Sequence, residues 1–148
     1  MIRIFQSDRP FSEFESVEIQ HKLDHFTAEW SSHGNLLSAG GKLLHNRFVV
    51  LVVDESRFGA SGCSIDKAMR FVQELGNAYG VDFFNRYLFS YLEGSSVKTV
   101  DRSTFAHLFA TGKINDDTMV FDTLLSDADE FSTAFLKKLG NSWHRKMV

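Results

Sequence analysis

The sequence predicts an α+β protein whose sheet is antiparallel or mixed, with helices on one face. Three observations carry that expectation: an apolar helical stripe within residues 14–33, a β-branched run at residues 48–53 that is apolar on both faces, and a second amphipathic stripe over residues 64–79. Up to residue 93 the signals follow the order β-α-β-β-α-β, which is that of a ferredoxin-like, split βαβ core. At 148 residues and 16.8 kDa the chain has the size of one ordinary domain. No repeat, low-complexity segment or Pro/Ser/Gly-rich linker divides it. A single domain over residues 1–148 is therefore expected, with its core at about 1–101 and a C-terminal α/β extension at about 102–148.

Ile2 to Gln6 alternates weakly, as a strand does. Within residues 14–33, Ile19, Leu23, Phe26 and Trp30 share one side of a helix, while Glu18, His21, Lys22, His25 and Glu29 fall elsewhere. Gly34-Asn35 is the expected stop. Residues 36–44 and 47–54 read as two strands joined by a tight turn at His45-Asn46. The second contains Phe48-Val49-Val50-Leu51-Val52-Val53, which places it at the centre of a sheet and covered on both sides. In the helix over residues 64–79, Ile65, Ala68, Met69, Val72, Leu75 and Tyr79 form the stripe, and Gly80 stands where a left-handed cap belongs. Residues 87–92 and 97–101 read as strands around Glu93-Gly94-Ser95-Ser96. Short helical segments are expected near residues 103–111 and 127–139, with a strand between them at 118–121.

A hydrophobic fraction of 43% with fifteen Phe and one Pro describes a folded core that needs neither disulfide nor structural metal. Disordered, collagen-like and disulfide-scaffold classes are excluded. The formal charge is −3, and no basic block exceeds His144-Arg145-Lys146. Nucleic-acid binding is not expected as the main activity, because neutralising phosphates requires a basic face. Residues 1–8 carry too short an apolar stretch, and too early an acid, for a secretory signal. No run approaches the ~20 apolar residues of a bilayer-spanning helix. Together with the single cysteine, these features lead to the expectation of a reducing, cytoplasmic setting without membrane insertion.

The chemically densest segment is residues 54–67, which begins where the most apolar strand ends and finishes in the first turn of a helix. At such a junction helix-start amides point outward and glycines let a ligand approach the backbone. Asp54, Glu55, Arg57, Gly59, Ser61, Gly62, Cys63, Ser64 and Lys67 are the candidate binding residues, for a small anionic ligand or a protein partner. A purely local role competes with this: Ser64 capping the helix, Asp66 complementing its dipole and the glycines closing the loop.

The apolar run ending in Asp54-Glu55 resembles a Walker B strand, but the chain has no G-x-x-x-x-G-K-[ST] segment to cradle a phosphate. Gly41-Lys42 continues into Leu43, and Gly112-Lys113 into Ile114. Nucleotide hydrolysis is accordingly not expected. Cys63 is the candidate catalytic residue of a competing enzyme reading: a helix start with Lys67 or Arg57 near would favour its thiolate. The usual burial of cysteine favours instead an inert, packed thiol. His21 and His25 lie one turn apart, a metal-binding spacing, yet on the side away from the apolar stripe, so a solvated face and no metal are expected. Tyr87, Phe89 and Tyr91 share one strand face and read as core. The terminal residues 141–146 either dock through Trp143 or trail as a loose tail. A third reading makes the chain an assembly module, with homo-oligomers left open. No cofactor is expected.

Several blocks together bear a resemblance. They are Asp8-Arg9-Pro10-Phe11, Trp30-x-x-His33-Gly34, Arg47-Phe48, Asp54-Glu55-Ser56 running into Gly59-Ala60-Ser61-Gly62-Cys63-Ser64-Ile65-Asp66-Lys67, Phe71-Val72-Gln73-Glu74-Leu75, Val120-Phe121 and Ser142-Trp143-His144. With these the chain resembles, over nearly its whole length, a family of short bacterial proteins of uncharacterised function whose members often carry the label "ABC transporter ATPase". The resemblance implies no catalytic or binding residue at any of these positions.

Overall fold

The computed structural model describes residues 1–148. The α+β class holds: helices accompany sheets whose strand pairs are all antiparallel. The chain forms two compact units, residues 1–84 with 126–128, and residues 85–125 with 129–148.

In the first unit, strand β1 (Ile2–Gln6), helix α1 (Glu13–Glu29), the short strands β2 (Ser31–Ser32) and β3 (Asn35–Leu36), strands β4 (Ser38–Leu44) and β5 (Phe48–Asp54), and helix α2 (Gly62–Tyr79) follow in order. The main sheet runs β1-β5-β4, so the β-branched strand is central, as its composition requires. Val49, Leu51 and Val53 join Ile19, Leu23, Val72 and Leu75 in one core, while Phe48 and Val50 on the alternate face are also buried. Two left-handed residues, His45 (φ 51°) and Asn46 (φ 58°), make the tight turn between β4 and β5. Gly80 caps α2 at φ 65°.

Helix α1 lies against β4, where Gly41 permits the approach. A Cβ there would sit 3.2 Å from Leu51 Cδ2 and 3.3 Å from both Leu23 Cβ and Thr27 Cγ2. The outer edge of β4 is closed by a side chain: the Gln20 amide donates to Gly41 O at 2.9 Å and accepts from Leu43 N at 3.0 Å. An amide thus supplies the two hydrogen bonds a further strand would have made.

Helix α1 is shorter than its periodicity implies. It ends at Glu29 because Trp30 leaves the helix in an extended conformation and donates its indole N–H to Ser64 O at 2.8 Å. His33 (φ 52°) and Gly34 (φ 81°) then turn the β2-β3 hairpin instead of extending the helix.

The four-stranded ferredoxin-like sheet does not form. Strand β6 (Leu88–Glu93) belongs to a separate sheet of order β7-β6-β8-β9, with β7 (Ser96–Asp101), β8 (Met119–Phe121) and β9 (Leu136–Lys138). The partner β7 follows β6 after only two residues, so this pairing closes a very short loop at low entropic cost. Helices α3 (Arg102–Ala110) and α4 (Ala128–Ala134) complete the elements, and the helix expected to run to residue 139 gives way to β9. Phe89, Tyr91, Phe105, Val120 and Leu139 form the second core, whereas Tyr87 is exposed.

Candidate functional site

The junction at residues 54–67 is held mainly by its own hydrogen bonds. Asp54 Oδ1 accepts the Ser56 N–H at 3.0 Å, and that bond holds its carboxyl below the ordinary range. Glu55 Oε1 accepts the Ala60 N–H at 3.1 Å. Arg57, Phe58 and Gly59 are exposed. Ser61, rather than Ser64, is the N-cap of α2. Its hydroxyl accepts the Ser64 N–H at 3.2 Å while Ser64 Oγ accepts the Ser61 N–H at 2.7 Å, a reciprocal box with serine in place of the usual Glu or Gln. Ser64 is fully buried, and its carbonyl receives the Trp30 indole. The most specific block of the family resemblance therefore has a local structural role at two of its positions.

Cys63 is exposed, which corrects the packed thiol expected from its residue type. Gly62 opens α2, and the inward positions of its first turns fall to Ser64 and Ala68, leaving the intervening Cys63 turned outward. Cys63, Lys67 and Phe71 follow one another at four-residue spacing, hence along one side of α2.

That side borders a concavity of the first unit. A groove of about 540 Å³ between α1 and α2 is lined by His21, Lys22, His25, Phe26, Glu29 and Trp30 from one helix and by Lys67 and Phe71 from the other. Its apolar base is a row of rings. Phe26 stacks on Phe71 with centroids 4.3 Å apart and planes inclined 12°, and Phe26 meets Trp30 at 5.3 Å. The rim is charged. Lys22 Nζ lies 4.8 Å from the centre of the Tyr79 ring, and His25 Nε2 faces Glu29 Oε2 at 3.5 Å. At the end of α2 beyond the groove, burial and then the Glu18 carboxylate, which accepts the phenol at 3.0 Å, push the Tyr79 hydroxyl up to about 12.

Of the residues singled out in the sequence, the groove receives Lys67 from the junction and both helix histidines. The stretch 54–63 does not line it. No group of three His, Cys, Asp or Glu side chains converges as a metal site. Lys22, Phe26, Glu29, Trp30 and Phe71 were not singled out as site residues. Their signal is an amphipathic boundary: residues 21, 22, 25, 26, 29 and 30 recur as adjacent pairs each turn, where the apolar stripe of α1 meets its polar face.

The second unit holds a buried polar cluster. Asp122 accepts from Lys137 Nζ at 2.7 Å, Trp143 Nε1 at 2.8 Å and Leu124 N at 3.0 Å. Burial pushes its carboxyl up, and these three donors outweigh that and hold it below the ordinary range. The C-terminal segment thus docks through Trp143. His144 stacks on Trp143 at 3.8 Å and bonds Ser142 Oγ through Nδ1 at 2.7 Å. Every partner in this cluster is internal, which gives Ser142-Trp143-His144 a structural role. No helix of the protein is long and apolar enough to cross a membrane. No family model, curated protein or solved structure matches the chain.

Proposed function

We propose that the protein binds a small anionic ligand with an apolar body, seated in the α1–α2 groove, to which the 54–67 junction contributes Lys67. It does so as a member of the resembled bacterial family and without hydrolysing nucleotides. The observation that carries this reading is the pairing of an aromatic base, Phe26 and Phe71, with the rim cations Lys22 and Lys67. Two lysines against the single carboxylate of Glu29 leave the rim positive at neutral pH, although the chain as a whole is acidic. The volume is in the range of about 300–1,000 Å³ common to small-molecule sites, and apolar walls with a few charges match their usual lining.

The test uses the dye 8-anilinonaphthalene-1-sulfonate as reporter and octanoate as competitor. Saturable one-to-one fluorescence enhancement, displaced by octanoate, is expected in the unaltered chain. The Lys22→Gln/Lys67→Gln variant should bind both anions about tenfold more weakly, since each exposed ion pair contributes up to about 1 kcal/mol. Equal binding by the variant would refute the reading.

A further inference from the structure

We infer that the ligand of this groove is a planar aromatic acid: a flat ring system bearing one carboxylate or similar monoanionic group. This rests on the anion-binding reading and specifies its ligand. A purely aliphatic acid would be served by leucines and valines, which this chain uses freely in its core. The groove instead offers two half-buried rings, Phe71 and Phe26, set against the buried ring of Trp30. With Phe26 and Phe71 stacked in nearly parallel planes and their centroids 4.3 Å apart, each ring spends one face on the other. What each can still present to a guest is an edge or its outer face, surfaces that pair edge-to-face or in offset stacks with another ring.

The charges stand where such a guest needs them. Lys67 lies one turn before Phe71 on α2, and Lys22 one turn before Phe26 on α1, so each ring has a cation four residues away on its own helix. The two helices run antiparallel, since Trp30 at the end of α1 meets Ser64 at the start of α2 and Lys22 meets Tyr79 at the end of α2. Lys67 and Lys22 therefore flank the ring pair at opposite ends, and a ring over the aromatic base brings its acid group to one ammonium or the other. Glu29, beside Trp30 and His25, is the one rim carboxylate and disfavours a second negative charge at that end. The small molecule must therefore be flat, largely apolar and singly charged.

Three isosteric probes test this: 2-naphthoate, its saturated counterpart decahydronaphthalene-2-carboxylate, and neutral 2-naphthamide, each displacing the dye. 2-Naphthoate is expected to bind about three- to tenfold more tightly than the saturated acid, the range a favourable aromatic pairing supplies. It should exceed the amide by about tenfold. Phe71→Leu should abolish the preference for the unsaturated acid while retaining binding of the saturated one. The comparison on the unaltered chain is decisive even if that variant fails to fold. Equal affinity for the two acids, both weakened by Lys67→Gln, would overturn the aromatic inference and leave the anion-binding reading standing. Failure of both acids to bind would overturn both readings. A second copy of the chain covering the groove, seen as naphthoate binding lost with rising protein concentration, would also overturn it.

Discussion

Acidification should destabilise the second unit through one side chain. His144 is 1% exposed, enclosed by Trp143, Phe89 and Phe105. Burial, opposed by the Asp122 carboxylate and assisted by the Lys137 ammonium, pushes its imidazole down to about 4, against an ordinary value of 6.5. Between those values the unfolded chain binds a proton that the folded chain refuses, so stability is complete above about pH 6.5 and falls as the pH drops toward 4. With 1.36 kcal/mol for each tenfold change, the loss is about 2 kcal/mol between about pH 7 and pH 5 and about 3 kcal/mol by pH 4. Urea unfolding followed by the amide cross-peaks of β6 and β8 measures this in the second unit. His144→Phe should flatten the dependence between about pH 7 and pH 5, because neutral phenylalanine takes up no proton. An unchanged pH dependence in that variant would refute the assignment.

Two other substitutions probe what positions the groove. Gln20→Ala removes both hydrogen bonds that close the β4 edge and should cost about 1–3 kcal/mol in urea unfolding of the first unit; a cost below about 0.5 kcal/mol would contradict that role. Ser61→Ala should cost about 1 kcal/mol and Ser61→Gly only a few tenths, the pattern of a helix N-cap. Similar losses for the two would point to the neighbouring loop instead.

How much of this was legible in the sequence depends on the range of the interaction concerned. The run from Phe48 to Val53 announced a central strand because burial on both faces imposes apolar residues on both, and Gly80 announced the end of α2 because few other residues accept its backbone. The end of α1 was not legible. Trp30 continues the helical stripe, and only the Ser64 carbonyl, thirty-four residues on, determines that it leaves the helix. The sheet partners of β6 were hidden for the same reason, since strand order depends on long-range pairing and not on local pattern. The junction attracted notice through its glycines, hydroxyls and charges, and two of those residues, Ser61 and Ser64, cap a helix. The groove drew little notice because its two walls are contributed by separate helices. His21 and His25 read as a solvated face on α1 alone, and they become a rim only when α2 brings Lys67 and Phe71 alongside.

The central claim is that the α1–α2 groove is a ligand site. Its most direct measurement is a titration of the isotopically labelled full chain with 2-naphthoate, followed by amide and side-chain chemical shifts. Saturable changes concentrated on residues 21–30 and 67–71, with Trp30 and Phe71 among the strongest, are predicted. Saturable changes centred on other residues, or no saturable change at all, would contradict the account.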